Sequence, residues 1–518
     1  MRLSKSDYIM GLNCIKALWL KKNRKDLEQE YDQRTLANFE LGENIHNLAY
    51  SLFDGGVMVE AEHFEVDKGA LLTKDLSKTY NILYEATAKL NNGCFCRIDV
   101  LERNGNAWDL IEIKSATSVK DYYIDDLSFQ KYVFENAGYE IKKCKVCHID
   151  SSYVRMGELD IMQMFKIEDV TELVAEKGTN INERIAEVLK LQAQKDEIAE
   201  NIGAKCFECP FCNYCLKELP LYSIFDLFRA QKADKIYLKN NSFLVEDVKI
   251  EDLTTDNQLI ERDAYLNKSV YVDDKKINEW LDGLCYPLYY LDYETVQSAV
   301  PIFDLSSPYS KIPFQFSLHI QEKPNGEVKH IEFLHKEKTD PRRMLAEFLV
   351  ENLGDSGSVV VYNKAFEKTI NLQLADLFSD LSQDLHKINE RMVDLLEPFK
   401  QKALYSYKQN GSSSIKYVLP AFCDLSYSDM EIANGGEAMD EYLLFLEGKK
   451  TIEEEEKMFS ALLKYCKQDT LAMVMLVEVL YKYAGKEKAK IIPSSFVMKS
   501  FRKFEDKYKK ALEALKKA

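Results

Sequence analysis

The sequence predicts a mixed α/β fold made of more than one domain. Its 518 residues are too many for a single hydrophobic core. Apolar residues make up 46% of the chain, which is enough to form buried cores. Segments with strand-like alternation are interspersed with segments of helical spacing, and this mixture indicates helices layered on sheets.

The first half of the chain carries element signals that predict one domain over residues 1–220. Helical spacing of apolar residues occurs behind a serine N-cap at the N-terminus and again around 41–53. Two strands follow at 94–102 and 108–115, and the Arg-Asn-Gly-Asn turn between them predicts a hairpin. Helical patterns then lead to a cysteine-rich run at 206–215.

The second half opens with a polar connection, 221–285, and continues into a second α/β domain, 286–484. Its first strand is predicted at 286–294 and its long last helix at 453–483. Between them we predict strands near 313–320, 330–335 and 359–362 and a helix near 341–352. Residues 485–518 hold eleven Lys or Arg against four acids, which predicts a basic helical tail that either contacts phosphates or is only solvated.

Charge and hydropathy narrow the classes of protein that fit. A net charge of −16 argues against a protein that coats nucleic acid through a basic surface, but it is compatible with a nuclease whose carboxylates bind metal. No apolar run approaches the ~18 residues of a membrane span, and the first residues lack a signal peptide. We therefore expect a cytoplasmic protein without membrane contact, whose reduced cysteines serve as metal ligands before they form disulfides.

The predicted hairpin brings acids and a lysine together. Alternation in CFCRIDVL places one set of side chains on the buried face, namely Cys94, Cys96, Ile98 and Val100. Arg97 and Asp99 fall on the other face, and Glu112 and Lys114 share a face of the partner strand. Two carboxylates suit Mg²⁺ or Mn²⁺, and a lysine beside them can position or activate an attacking water. An exposed hairpin face without chemistry is the alternative.

With the flanking segments GENIHNLA and DDLSFQKYVFENAG, this hairpin resembles the RecB-type branch of the PD-(D/E)XK nucleases, which have a restriction-endonuclease-like fold. The positions that match the family's motifs are His46, Asp99, Glu112, Lys114, Gln130 and Tyr132. The resemblance implies that Asp99 and Glu112 bind the metal and that His46, Lys114 and Gln130 assist catalysis. Tyr132 departs from the pattern, since one residue separates it from Gln130 where the family commonly has three. Glu85 either assists the metal or lies on the surface.

The cysteine-rich run has the ligand chemistry of a metal centre. Cys206, Cys209 and Cys215 form C-x2-C-x5-C, and Cys14 lies in the first predicted helix. Together they resemble the four ligands of the [4Fe-4S] cluster that closes RecB-type nuclease domains. Alternatively, Cys212 completes a local set of four that favours zinc. Either group would be structural. We predict ordinary buried or half-buried thiols at Cys144, Cys147, Cys285, Cys423 and Cys466.

A second set of acids occurs in the last domain. Asp292 and Glu294 share a face of the strand YPLYYLDYET, and Tyr465 and Asp469 share a face of the helix around LLKYCKQDTLAM. This arrangement resembles the DnaQ-like exonucleases of the RNase H-like fold. The resemblance implies four acids that hold two metal ions and a tyrosine that orients the attacking water.

The middle motif of that family has an aspartate, whereas VVVYNKAFEKTI offers Glu367, which keeps the charge and changes the reach. Asp394, in RMVDLLEPF, is a further acid that either joins the site or supports the fold. The DnaQ-like resemblance covers residues 286–484 and includes the segments SIKYVLPAF and IANGGEAM. The combination of the two halves resembles the bacterial domain-of-unknown-function family 2779 over nearly the whole chain.

These resemblances lead to one expectation of function and one alternative. We expect a metal-dependent nuclease that acts on DNA, with RNA possible as substrate, through a PD-(D/E)XK centre and a DnaQ-like 3'-5' exonuclease centre. The alternative is a nucleic-acid-binding protein in which one or both centres no longer hydrolyse.

Overall fold

The computed structural model describes residues 2–31, 33–230 and 233–486, which form helices and mixed sheets and confirm the α/β fold class. The chain divides into two compact units. Unit 1 holds Met1–Glu218 and Ser298–Tyr309, and unit 2 holds Leu219–Gln297 and Ser310–Ala518. No helix in the described ranges is long and apolar enough to cross a membrane. The predicted basic tail lies outside the described residues from position 487 onwards.

Unit 1 is built on a seven-stranded sheet. Its strands are Leu3–Ser4, Val57–Met58, Ile82–Lys89, Cys94–Asn104, Ala107–Lys114, Ile141–Ile149 and Phe165–Asp169. The last six lie side by side in chain order, and Leu3–Ser4 pairs in parallel with Cys94–Asn104. The predicted hairpin is confirmed, with Asn104 opposite Ala107 and Gly105 at a φ of +68° in the turn, a conformation that favours glycine.

The alternation predicted for the first hairpin strand is wrong at Val100. Ile98 packs in one apolar cluster, but Val100 packs in a different cluster with Ile111 and Ile113. The ladder between the two hairpin strands begins at Val100, and the Asp99 carboxylate accepts the N–H of Ile113 at 2.6 Å instead. The side chains of the strand therefore change faces at Asp99, because the Asp99 carboxylate replaces a backbone hydrogen-bond partner in the ladder there.

Helices cover the sheet of unit 1. They span Lys5–Asn13, Ile15–Asn23, Gln33–Tyr50, Val66–Leu76, Asp121–Asn136, Ile161–Met164, Thr171–Gly178, Ile181–Gln192 and Cys212–Cys215. The predicted first helix is thus two helices. Ser4 caps the first through the N–H of Asp7, and the extended backbone of Cys14, with a φ of −159°, ends it. Cys14 consequently lies at the junction of two helices.

Unit 2 contains a five-stranded sheet and a two-stranded one. The order in the larger sheet is Val328–Leu334, Ile312–Gln321, Leu288–Val296, Ser358–Val361 and Met392–Asp394. Val328–Leu334, Ile312–Gln321 and Leu288–Val296 pair antiparallel in that order, and Leu288–Val296, Ser358–Val361 and Met392–Asp394 are mutually parallel. The smaller sheet pairs Val270–Val272 with Leu404–Ser406.

The helices of unit 2 are Ala233–Asn240, Asp256–Asn267, Asp274–Asp282, Arg342–Asn352, Lys364–Leu377, Ser382–Glu390, Leu396–Lys400, Ile415–Phe422, Gly435–Leu446 and Ile452–Tyr483. The stretch predicted as a connection, 221–285, carries the first three of them. The long helix predicted at 453–483 is confirmed, and Thr451 and Glu454 form its capping box. It packs on the strands Leu288–Val296 and Ile312–Gln321, so its residues face the Asp-x-Glu strand.

Candidate active sites

The carboxylate of Glu112 is the most heavily bonded group of the first candidate centre. It is 1% exposed. Lys5 Nζ lies 2.5 Å and Lys114 Nζ 2.6 Å from the same oxygen, Oε1. Gln130 Nε2 donates to the other oxygen, Oε2, at 2.8 Å. The structure therefore brings three of the predicted residues together and adds Lys5, which sequence reasoning missed.

Asp126 is a second addition to this centre. Its Oδ2 lies 3.6 Å from Lys5 Nζ and 3.5 Å from Lys114 Nζ, and its Oδ1 accepts from Gln130 Nε2 at 3.3 Å. A sequence signal for it existed, because Asp126 precedes Gln130 by four residues and so shares its helix face. Tyr132, by contrast, receives a 3.4 Å hydrogen bond from Asn92, and the ring that faces Lys114 Nζ, at 5.3 Å, is that of Tyr123.

Asp99 also lies close to two further possible metal ligands, His46 and Glu85. Its Oδ1 is 3.9 Å from His46 Nδ1, and ligand atoms of His46, Glu85 and Asp99 all lie within 4.8 Å of one another. Glu85 accepts from the Tyr50 hydroxyl at 2.7 Å and has a φ of +56°. A nitrogen and two carboxylate oxygens at this spacing suit a divalent cation.

The charges of this centre are set by its lysines. Burial, reinforced by the charge of Glu112, raises the pKa of Asp99 to about 6. Burial also opposes ionisation of Glu112, but Lys114 and Lys5 outweigh it and hold the pKa of Glu112 below its usual value. Burial works against the Lys114 ammonium, yet Glu112 keeps the pKa of Lys114 raised. Glu112 is therefore ionised at neutral pH, and Asp99 is the group whose proton a bound cation would displace.

Four of the five candidate cysteine ligands share one cavity. Cys14, Cys206, Cys209 and Cys215 line a space of about 680 Å³, and burial together with the neighbouring Cys14, Cys206 and Cys212 raises the pKa of the Cys209 thiol. Cys212 Sγ instead accepts a 3.0 Å hydrogen bond from Gln29 Nε2. The structure thus gathers the set that includes Cys14.

The remaining cysteines follow the prediction in part. Cys144 and Cys147 lie on the strand Ile141–Ile149, are fully buried and belong to apolar clusters on opposite faces. Cys423 is half-buried, but Cys285 is exposed, contrary to the prediction, since it precedes the strand Leu288–Val296. Cys466 is buried, but it is more than a packing residue: its Sγ lies 3.8 Å from Asp292 Oδ2.

Four acids form the second candidate centre, in unit 2. Asp292 and Glu294 come from one strand, and Glu367 and Asp469 come from two helices. Burial, reinforced by Asp469, raises the pKa of Asp292, and the charge of Asp292 adds to burial in raising those of Glu294 and Glu367. Burial raises the pKa of Asp469 to about 6 even though two tyrosines hydrogen-bond to it. Mutual repulsion of buried carboxylates is the electrostatic signature of a site that cations complete.

Tyr465 lies beside Asp469 together with two residues that were not singled out from the sequence. The Tyr427 hydroxyl donates to Asp469 Oδ1 at 2.6 Å, and its ring centroid is 6.2 Å from that of Tyr465. Lys416 Nζ lies 5.6 Å from the Tyr465 centroid. Burial lowers the pKa of Lys416, although Asp469 counteracts this. Lys416 belongs to the quoted segment SIKYVLPAF, but helical spacing alone does not show what it faces.

Asp394 serves the fold around Glu367. Its two oxygens accept the N–H groups of Asn363, Lys364 and Leu396, each at 3.0 Å. It thereby holds the start of the helix that carries Glu367 in its first turn. Glu367 is 2% exposed, and its Oε2 has no hydrogen-bond partner. An unpartnered carboxylate oxygen in this position is available to a cation.

Part of the chain matches a known protein family. Residues 289–414 match the model of a family described as a domain of unknown function, DUF2779. The uncharacterized protein MG366 of Mycoplasma genitalium is 25% identical over 366 residues, which are 62% of this chain and 54% of that protein. Its homolog in Mycoplasma pneumoniae is 29% identical over 208 residues, which are 36% and 31% of the two chains.

This chain thus spans about half the length of the first of these relatives and about a third of the second. A solved structure titled "Crystal structure of SSO0001" is 15% identical, with 42% of this chain and 88% of that chain covered at a TM-score of 0.24.

Proposed function

We propose that this protein is a metal-dependent nuclease with two phosphodiesterase centres. The observation that carries the proposal is the convergence, in each unit, of buried carboxylates from separate elements. Among the described residues, ligand atoms within 4.8 Å of one another occur at His46, Glu85 and Asp99 and at Asp292, Glu294 and Cys466. Divalent cations bound there would supply an activated water and a charge that stabilises the leaving oxygen.

In unit 1 we assign a restriction-endonuclease-like, RecB-type centre. Asp99 and Glu112 would hold the cation, with His46 beside Asp99. Lys114 would position the attacking water, since its ammonium lies 2.6 Å from Glu112 and remains protonated. Gln130 fixes the second oxygen of Glu112. The parallel pairing of Ala107–Lys114 with Ile141–Ile149 behind an antiparallel hairpin supports this assignment.

In unit 2 we assign a DnaQ-like 3'-5' exonuclease centre on an RNase H-like sheet. Three antiparallel strands followed by two parallel ones, with the Asp-x-Glu strand in the middle of the five, support it. Asp292, Glu294, Glu367 and Asp469 would hold the cations, and Tyr465 would orient the attacking water. Glu367 comes from the first turn of a helix, and burial with the charge of Asp292 raises its pKa.

For the cysteine cavity we propose a [4Fe-4S] cluster on Cys14, Cys206, Cys209 and Cys215, with zinc as the alternative. Four soft thiolates fit either group. Cys14 lines the same cavity as Cys206, Cys209 and Cys215, and this favours the [4Fe-4S] cluster. Its role would be to join the first helices to the end of unit 1.

The test is cleavage of end-labelled single-stranded and duplex DNA, and of RNA, by anaerobically purified full-length protein with Mg²⁺, Mn²⁺ or EDTA. The proposal expects cation-dependent products, with DNA cut faster than RNA and with stepwise 3' shortening from unit 2. The second candidate function is binding without hydrolysis, which the replacement of Asp by Glu367 favours for unit 2. Retained binding without cation-dependent products would establish that alternative.

A further inference from the structure

Lys5 occupies a position that the proposed mechanism leaves unexplained. It lies in the first turn of the helix Lys5–Asn13, directly after Leu3–Ser4, which pairs with the strand that carries Asp99. Its side chain is 24% exposed, and its Nζ shares the oxygen Oε1 of Glu112 with Lys114. Two ammonium groups therefore share one carboxylate oxygen, and Asp126 is the second acid close to both of them.

A cavity beside these groups is lined by charged side chains of both signs. Lys5, Lys114 and Asp126 line it at the carboxylate centre, and Lys205, Glu208 and the four thiols form other parts of its wall. The thiol end of this space of about 680 Å³ would hold the proposed cluster, so the lysine end is the part open to another ligand. Lys114 Nζ lies over the ring of Tyr123, whereas the side-chain bonds of Lys5 are to Glu112 and Asp126 alone among the described contacts.

A divalent cation at Asp99 and Glu112 would compete with one of the two lysines for Oε1. We expect Lys5 to be the one that leaves, because Lys114 also lies over the Tyr123 ring, whereas the described contacts of the Lys5 side chain are to Glu112 and Asp126. An ammonium released next to a cavity beside a phosphodiesterase centre meets a phosphate oxygen as its natural partner.

We propose that Lys5 is the phosphate-binding residue of the unit 1 centre: it neutralises Glu112 until a divalent cation replaces it, and it then binds a phosphate of the nucleic-acid strand in the cavity. This inference rests on the proposed nuclease function of unit 1. The cysteine centre would also help to position Lys5, since Cys14 ends the same nine-residue helix that Lys5 begins.

The test uses full-length protein with Asp292→Asn, so that unit 1 is the centre observed, and compares Lys5→Gln, Lys5→Arg and the control Lys16→Gln. Lys16 is paired with Glu197 at 2.7 Å and does not line the cavity. Mn²⁺ affinity is measured by titration. Affinity for a fluorescent single-stranded oligonucleotide is measured in Ca²⁺ at several salt concentrations, and kcat and KM are measured in Mn²⁺.

Lys5→Gln is expected to bind Mn²⁺ several-fold more tightly, because a competing positive charge is removed. It should bind the oligonucleotide about tenfold more weakly, with a salt slope reduced by ~0.7, the value for one single-strand phosphate contact. KM should rise with little change in kcat, Lys5→Arg should restore the oligonucleotide affinity, and Lys16→Gln should match the parent.

Unchanged oligonucleotide affinity in Lys5→Gln, or a loss of thermal stability and kcat at constant KM, would overturn the inference and make Lys5 a structural ion pair. Binding is measured without hydrolysis. If the affinities differ between the parent and its Lys5 variants as expected but the parent never cleaves, that result would contradict the nuclease function alone.

Discussion

The two candidate centres use carboxylates in opposite electrostatic settings. In unit 1, two lysines contact Glu112 and hold its pKa low, so the centre is nearly neutral before any cation binds. In unit 2, four buried acids have raised pKa values. Lys416, itself with a lowered pKa, partly offsets Glu294 and Asp469, and Lys311 partly offsets Glu367. Unit 1 is therefore preorganised by protein charges, whereas unit 2 depends on cations to become fully ionised.

Removing one central carboxylate from each unit should give the largest effect. Glu112→Gln should reduce the unit 1 products and Asp292→Asn the unit 2 products by at least about 100-fold, because each removes a ligand at the reacting phosphate. Gel analysis of 5'- and 3'-labelled oligonucleotides separates the two product sets. Glu172→Gln and Asp355→Asn, which replace exposed acids, serve as controls. Identical product patterns in all four variants would remove the distinction between the centres.

Replacement of Cys14 and replacement of Cys212 should affect the cysteine centre differently. Cys14→Ser should lose the bound metal and lower the thermal stability of unit 1 by several degrees, since the first helices are released from the end of the unit. Cys212→Ser should keep the metal, because Cys212 bonds to Gln29 and does not line the cavity. Iron, sulfide and zinc analysis after anaerobic purification measures this. Metal lost with Cys212 and kept without Cys14 would support the local zinc set instead.

The pH dependence of cation binding should differ between the units. A cation in unit 2 displaces protons from several acids with raised pKa values, among them Asp469 at about 6. In unit 1 it displaces mainly the proton of Asp99. The logarithm of Mn²⁺ affinity should therefore rise more steeply with pH between 5 and 7 in Glu112→Gln, which reports unit 2, than in Asp292→Asn, which reports unit 1. Equal slopes would show that the two settings are equivalent.

A smaller effect is expected on stability without divalent cations. Carboxylates whose pKa is raised in the folded state bind protons more tightly than in the unfolded chain, so stability falls as pH rises from ~4 through about 6. Asp292→Asn removes part of this repulsion. It should raise the melting temperature by a few degrees at pH 8 and have less effect at pH 5, as measured by calorimetry in cation-free buffer. Asp355→Asn is the control, and an Asp292→Asn protein destabilised at pH 8 would refute the repulsion argument.

The predictions that the structure confirmed rest on local sequence patterns. The hairpin, the long helix and the facing of Glu112 with Lys114 follow from turn residues and short periodicities. Lys5 was missed because it lies 107 residues from Glu112 in sequence, and no periodicity links them. Val100 was placed wrongly because Asp99 replaces a backbone partner in the ladder, which alternation does not show. The sequence predicts only a packing thiol at Cys466, because its neighbour in space, Asp292, comes from a strand distant in sequence.

The most direct test of the two-centre nuclease is a parallel purification of the wild-type protein and of the double variant Glu112→Gln, Asp292→Asn. Cleavage of single-stranded DNA is then followed in Mn²⁺ and in EDTA, with circular dichroism to show that both proteins are folded. We predict cation-dependent products from the wild type and none from the double variant. Equal cleavage by both proteins would assign the activity to something other than these carboxylates and would contradict the two-centre nuclease.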